Sequence, residues 1–138
     1  MQNTMIRCEY IHDDIFGFEA GGSIRGLKVV YHRSEQEWKP GDERKVIWIC
    51  HALTANSDAE DWWPELVGSG KLFDTRKYFV VCANMLGSAY GSSGPSSINP
   101  ETGKPYFFDF PRITVRDIVK ANDLVRRHLG IEKIDFMV

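Results

Sequence analysis

Two stretches carry the residue types from which a site could be built. The first is "HALTANSDAEDWWPELVGSGKLFDT" (His51 to Thr75), which leaves the apolar run "VIWIC" (Val46 to Cys50) directly into His-Ala-Leu-Thr. A loop that leaves a buried strand in this way can aim a backbone N–H into a site, and an oxyanion hole needs that kind of fixed donor. The second is "ANMLGSAYGSSGPSSINPETGKPYFFDFPRITVRD" (Ala83 to Asp117), dense in Gly, Ser, Pro and Asn. A connection of roughly 25 or more residues in a compact domain is usually functional or disordered. Tyr90, Tyr106, Phe107, Phe108 and Phe110 argue against disorder, and a loop packed on its own side chains is the plain alternative to a functional one. A phosphate cradle is conceivable from the glycines, yet neither G-x-x-x-x-G-K-[ST] nor G-x-G-x-x-G occurs.

The remaining reactive residue types give less. Cys8, Cys50 and Cys82 are odd in number and widely spaced, which indicates neither a disulfide framework nor a zinc knuckle. Cys50 and Cys82 close apolar runs and read as small buried hydrophobes. The histidines (His12, His32, His51, His128) show no H-x-x-x-H or similar ligand spacing, so no metal site is expected. Trp62 and Trp63 read as packing. A G-x-S-x-G elbow, which would hold a nucleophilic serine, occurs nowhere in the sequence.

Behind these loops stand the elements that must position them. "FGFEAGGSIRGLKVVYHRS" (Phe16 to Ser34) predicts two strands around a Gly-Gly turn. "VIWIC" and "YFVVCAN" (Tyr78 to Asn84) are continuous apolar runs, as expected of parallel strands covered on both faces. "TVRDIVKANDLVRRHLG" (Thr114 to Gly130) is the clearest helix: Val115, Ile118, Val119, Asn122, Val125 and Leu129 recur at helical spacing. Thr114 and Asp117 approximate a capping box, Arg126, Arg127 and His128 suit the dipole, and Gly130 supplies the stop. "KIDFMV" (Lys133 to Val138) then begins another buried strand. This alternation predicts an α/β fold with a mostly parallel sheet and an antiparallel N-terminal hairpin. Sites in such sheets lie beyond the carboxyl ends of the strands, where both loops fall.

Composition narrows the function classes. The net charge is -2 and no basic run exceeds two residues, which argues against a nucleic-acid binder. "MQNTMIRCEYIHDD" lacks the apolar core of a signal peptide, and no stretch reaches the ~18 apolar residues of a membrane span. No membrane partner is expected, and the expected location is cytoplasmic.

"HALTANSDAEDWWPELVGSGKLFDT", "ANMLGSAYGSSGPSSINPETGKPY" and "DFPRITVRDIVKA" closely resemble the homoserine O-acetyltransferases, from roughly Gly17 to Val138. The stretch "GSSGPSSINPETGKPY" is the most specific part of the match. The resemblance implies an α/β-hydrolase fold whose first five strands run 1-2-4-3-5, with "VIWIC" third, "YFVVCAN" fourth and "IDFMV" fifth. The fifth strand of that plan delivers the nucleophile elbow, and the oxyanion hole takes a second donor from the loop after the third. On this mapping that donor is the backbone N–H of Leu53. Residues 1–138 are then expected to be the N-terminal portion of a single hydrolase domain, cut within strand 5, with the Ser, Asp and His of the triad beyond Val138 and the chain inactive by itself. The implied activity is transfer of an acetyl group from acetyl-CoA, a co-substrate, to the hydroxyl of L-homoserine through an acyl-serine, in methionine biosynthesis. No permanent cofactor is implied, and a homodimer is implied at full length. Thr54, Asn56 and Ser57 are candidates for the acceptor side of the site, with capping of the following helix as the alternative. Homoserine or serine succinylation or acetylation, ester hydrolysis, or a non-catalytic remnant that binds a partner are the other readings of this scaffold.

Overall fold

The computed structural model describes residues 3–138. In chain order its elements are β1 (Met5–Ile11), β2 (Ile15–Gly17), β3 (Ser23–Arg25), β4 (Lys28–Ser34), β5 (Val46–Ile49), α1 (Ala59–Trp62), β6 (Phe79–Ala83), a 3-10 turn (Phe107–Asp109), α2 (Val115–His128) and β7 (Phe136–Met137). Five strands form one sheet in the order β1-β4-β6-β5-β7. Numbered within that sheet, the order is 1-2-4-3-5, as the resemblance implied. The pairings β1–β4 and β4–β6 are antiparallel, and β6–β5 and β5–β7 are parallel, so the sheet is mixed. The expected Gly-Gly hairpin exists as β2 and β3, but it forms a separate two-stranded sheet; the "KVVYHRS" strand belongs to the large one.

The apolar runs follow from cover on both faces. Side chains alternate along a strand. Val46 and Trp48 of β5, with Phe79, Val81 and Ala83 of β6, enter one core together with Phe16, Phe18 and Ile24 of the hairpin and Ala121 and Val125 of α2. Ile47, Ile49, Val80 and Cys82 enter the opposite core, closed by Ala59 and Val67, with Trp62, Trp63 and Phe73 packed against it. Trp62 and Trp63 stack 5.5 Å apart, the packing role expected of them.

The long connection after β6 is built rather than loose. β6 pairs with only Tyr31 to Arg33 of β4. Where it ends, two serines replace it. Ser92 Oγ accepts from the Val30 N–H (3.0 Å) and donates to the Asn84 carbonyl (3.2 Å). Ser93 Oγ accepts from the Lys28 N–H, and the Ser93 N–H donates to the Lys28 carbonyl, each at 2.8 Å. The backbone can come this close because Gly91 and Gly94 have no side chain. A Cβ on Gly91, at φ +100°, would lie 2.8 Å from Val30 Cγ2, and one on Gly94 would lie 3.0 Å from Gly87 Cα.

Candidate functional site at the carboxyl end of the sheet

The parallel strands β5 and β6 run out at one edge of the sheet, level with Val138, and the geometry beyond them starts from β5. The Val138 N–H donates to the Trp48 carbonyl (3.0 Å), and the Cys50 N–H donates to the Val138 carbonyl (2.6 Å). The end of β7 is thereby fixed beside the first residue of the His51 loop. Cys50 itself is exposed, contrary to the buried placement expected from sequence: it lies past the last paired residue of β5, where the chain turns. Partial desolvation holds its thiol above the ordinary range, the reverse of what an activated nucleophile needs. Cys82 is fully buried, as expected, and burial pushes its thiol up to about 12.

After Cys50 the chain makes a four-residue turn, closed by the Ala55 N–H on the Ala52 carbonyl (3.0 Å). Such a turn leaves the amides of its two middle residues free. Leu53 is one of them: its side chain is completely exposed, and among the described residues nothing accepts from its N–H. Thr54, the other, is exposed.

Two buried side-chain systems hold this turn. His51, 8% exposed, accepts from the Met85 N–H at Nε2 (3.1 Å) and meets the Ala52 carbonyl at Nδ1 (2.9 Å). Accepting at Nε2 leaves Nδ1 as the donor. The second system centres on Asn84, immediately after β6. Its Oδ1 accepts from the Ser57 N–H and its Nδ2 donates to Ser57 Oγ, both at 2.8 Å. Ser57 Oγ also meets His32 Nδ1 (2.7 Å), and His32 Nε2 lies 3.9 Å from Asp58 Oδ2. This Ser–His–Asp series is not a catalytic triad. Ser57 is 1% exposed and a nucleophile must reach substrate, while burial holds His32 below its ordinary value despite Asp58.

The four residues singled out from sequence thus share one loop but not one environment. Leu53 and Thr54 face solvent, and Ser57 is consumed by Asn84 and His32. Asn56 is half-buried; its Oδ1 accepts from the Asp58 N–H and its carbonyl accepts from Trp62 Nε1, each at 2.8 Å. That is a local brace at the start of α1, whose N-cap, Asp58, makes no side-chain capping bond. No local sequence pattern marks Asn84 or Met85, whose partners in the loop lie 27 and 34 residues away. No group of three metal-ligating side chains occurs among the described residues, and no helix there is long and apolar enough to cross a membrane. A cavity of about 560 Å³ opens at the opposite, amino end of the sheet, where Lys45 and Lys133 both pair with Asp135.

This strand order, with its site loops beyond the parallel strands, is that of an α/β-hydrolase fold. Esterase E22 superposes with a TM-score of 0.83 at 30% identity, covering 96% of this chain and 40% of the esterase. Homoserine O-acetyltransferase from Bacillus anthracis superposes with a TM-score of 0.82 at 29% identity, covering 99% of this chain and 40% of that enzyme.

In sequence, the resemblance to the homoserine O-acetyltransferases is borne out. The enzyme of that name from Chlorobaculum parvum is 47% identical over 127 residues, 91% of this chain and 35% of the relative. That from Cyclobacterium marinum is 56% identical over 93 residues, 67% of this chain and 26% of the relative. The chain spans about a third of the length of the curated relatives it matches. No family model matches it.

Proposed function

We propose that residues 1–138 form the amino-terminal portion of a single-domain acyltransferase that moves an acetyl group from acetyl-CoA to the hydroxyl of L-homoserine, a step of methionine biosynthesis in the cytoplasm. The observation that carries this reading is the free Leu53 amide, three residues past the Cys50–Val138 hydrogen bond, in a chain so similar to enzymes of that name. In this fold the strand in the position of β7 leads into the serine elbow. A serine delivered there takes the acetyl group from the thioester, and homoserine's hydroxyl then attacks the acyl-serine. Both tetrahedral intermediates carry an oxyanion, which the Leu53 N–H and an amide from the elbow stabilise. Thr54, at the rim of the same turn, is the residue of this loop best placed to meet the acceptor; Asn56 and Ser57 brace the loop from behind. No permanent cofactor takes part, and the whole enzyme acts as a homodimer.

Proline is accepted at the second position of such a turn and removes the N–H, while Leu53→Ala controls for loss of the side chain. In the full-length enzyme, Leu53→Pro is expected to lower kcat for homoserine acetylation by about 100- to 1,000-fold, while Leu53→Ala stays within a few-fold of wild type. Equal activity in Leu53→Pro would remove Leu53 from the oxyanion site. The similarity to esterase E22 favours a second reading, plain ester hydrolysis. Free thiol released from acetyl-CoA only when homoserine is present supports the transferase; hydrolysis of p-nitrophenyl acetate with no homoserine-dependent thiol supports the esterase.

A further inference from the structure

We propose that His51 is a positioning residue for the oxyanion donor, acting through the Ala52–Ala55 turn. This inference rests on the role given to Leu53 above. The turn projects into solvent, and its own chain supplies one closing hydrogen bond, Ala55 N–H to the Ala52 carbonyl. One bond of that kind does not hold an amide to the fraction of an ångström that transition-state stabilisation demands. The His51 ring supplies what is missing. Its Nδ1 donates to the same Ala52 carbonyl, so that oxygen receives two hydrogen bonds and cannot swing about the turn. Its Nε2 accepts from the Met85 N–H, which anchors the ring to the start of the loop after β6. The imidazole is therefore a bridge between the post-β5 turn and the post-β6 loop. With both ring nitrogens engaged and the side chain buried, His51 has no free valence for proton transfer to substrate. Its contribution is geometric.

The bridge has a chemical specification. It needs an acceptor for Met85 and a donor for Ala52 on one rigid side chain. Alanine offers neither, whereas the amide of Asn or Gln offers both. In the full-length enzyme, His51→Ala is expected to lower kcat for acetyl transfer by about 10- to 100-fold, with KM for homoserine and acetyl-CoA within about twofold of wild type. The better of His51→Asn and His51→Gln is expected to regain most of that loss. A residue needed only for folding would change yield and melting temperature without this split between kcat and KM.

The decisive measurement is a double-mutant cycle with Leu53→Pro. If His51 works by placing the Leu53 amide, deleting the bridge costs nothing further once that amide is gone, and the two losses are non-additive. Additive losses, or a folded His51→Ala enzyme with wild-type kcat, overturn the proposal. Should His51→Ala fail to fold, the cycle is run with whichever of the Asn and Gln variants is the poorer enzyme, and additivity there overturns it equally. A wild-type enzyme that shows no homoserine-dependent acetyl transfer but hydrolyses esters would instead defeat the acyl-acceptor assignment; the same cycle, read on ester hydrolysis, would still test the bridge, because hydrolysis passes through the same oxyanion.

Discussion

At the scale of single residues, Asn84 and His32 carry most of the polar order beneath the site. Asn84 satisfies the Ser57 N–H and Oγ in a buried pocket and donates to the Tyr90 carbonyl (3.3 Å). Asn84→Ala leaves the Ser57 amide buried without a partner, and we expect a loss of about 2–4 kcal/mol in denaturant unfolding of the full-length enzyme. A loss under about 0.5 kcal/mol would show that the pocket rearranges freely. His32 gives stability a pH dependence. Burial, its largest influence, lowers its pKa, outweighing the pull of Asp58 in the other direction. The unfolded chain then binds a proton at His32 more readily than the folded one. Its contribution is complete above the unfolded value of about 6.5 and is lost as pH falls from there toward the folded value. Denaturant midpoints compared near pH 8 and pH 5.5 should show a steeper fall for wild type than for His32→Asn; parallel curves would refute this. None of this was legible from sequence. His32 and Ser57 are 25 residues apart and Ser57 and Asn84 are 27 apart, and no local pattern announces a contact across such gaps.

At the scale of elements, α2 was the most legible because its signals are local. The capping box is present in full: Thr114 accepts from the Asp117 N–H and Asp117 accepts from the Thr114 N–H. Asp117 also accepts from the Glu19 N–H of the hairpin (2.9 Å), which is why this carboxylate is 2% exposed. Asp117→Ala should cost about 2 kcal/mol, against about 1 for Thr114→Ala, in thermal or denaturant melts; equal costs would mean that the tie to the hairpin is worth nothing. The helical face was less legible. Val115 and Val119 share the expected apolar stripe yet are 74% and 62% exposed, while Ala121 and Val125 are buried. The hairpin and sheet cover one side of the helix only, and Val119 lines an open apolar hollow of about 180 Å³ with Trp48, Ile134 and Met137. Strand β1 was missed altogether. As an edge strand it buries Met5 alone among its residues, so neither an apolar run nor a clean alternation marks it. The serines of "GSSGPSS" drew notice as a signature, but their work as stand-ins for strand β6 depends on where β6 stops, which is set by the packed sheet.

At the scale of the whole molecule, β7 dominates behaviour. It pairs with β5 on one side, and Phe136, Met137 and Val138 are 56%, 65% and 42% exposed. An apolar edge of this kind recruits other strands. The 138-residue polypeptide by itself should therefore self-associate in sedimentation, and Met137→Lys should reduce that association; a monomer at every concentration would contradict this. Without an elbow serine it should release no thiol from acetyl-CoA, with or without homoserine. The sheet order has a further consequence, in time rather than space. Val46 of β5 and Asp135, the residue just before β7, bond directly and are 89 positions apart. At about 5–20 residues per second of synthesis, β5 waits roughly 4–18 seconds for that neighbour. Through that interval the strand that leads into the proposed oxyanion turn has a bare edge, which makes the growing chain, more than the finished one, the form most in need of a chaperone.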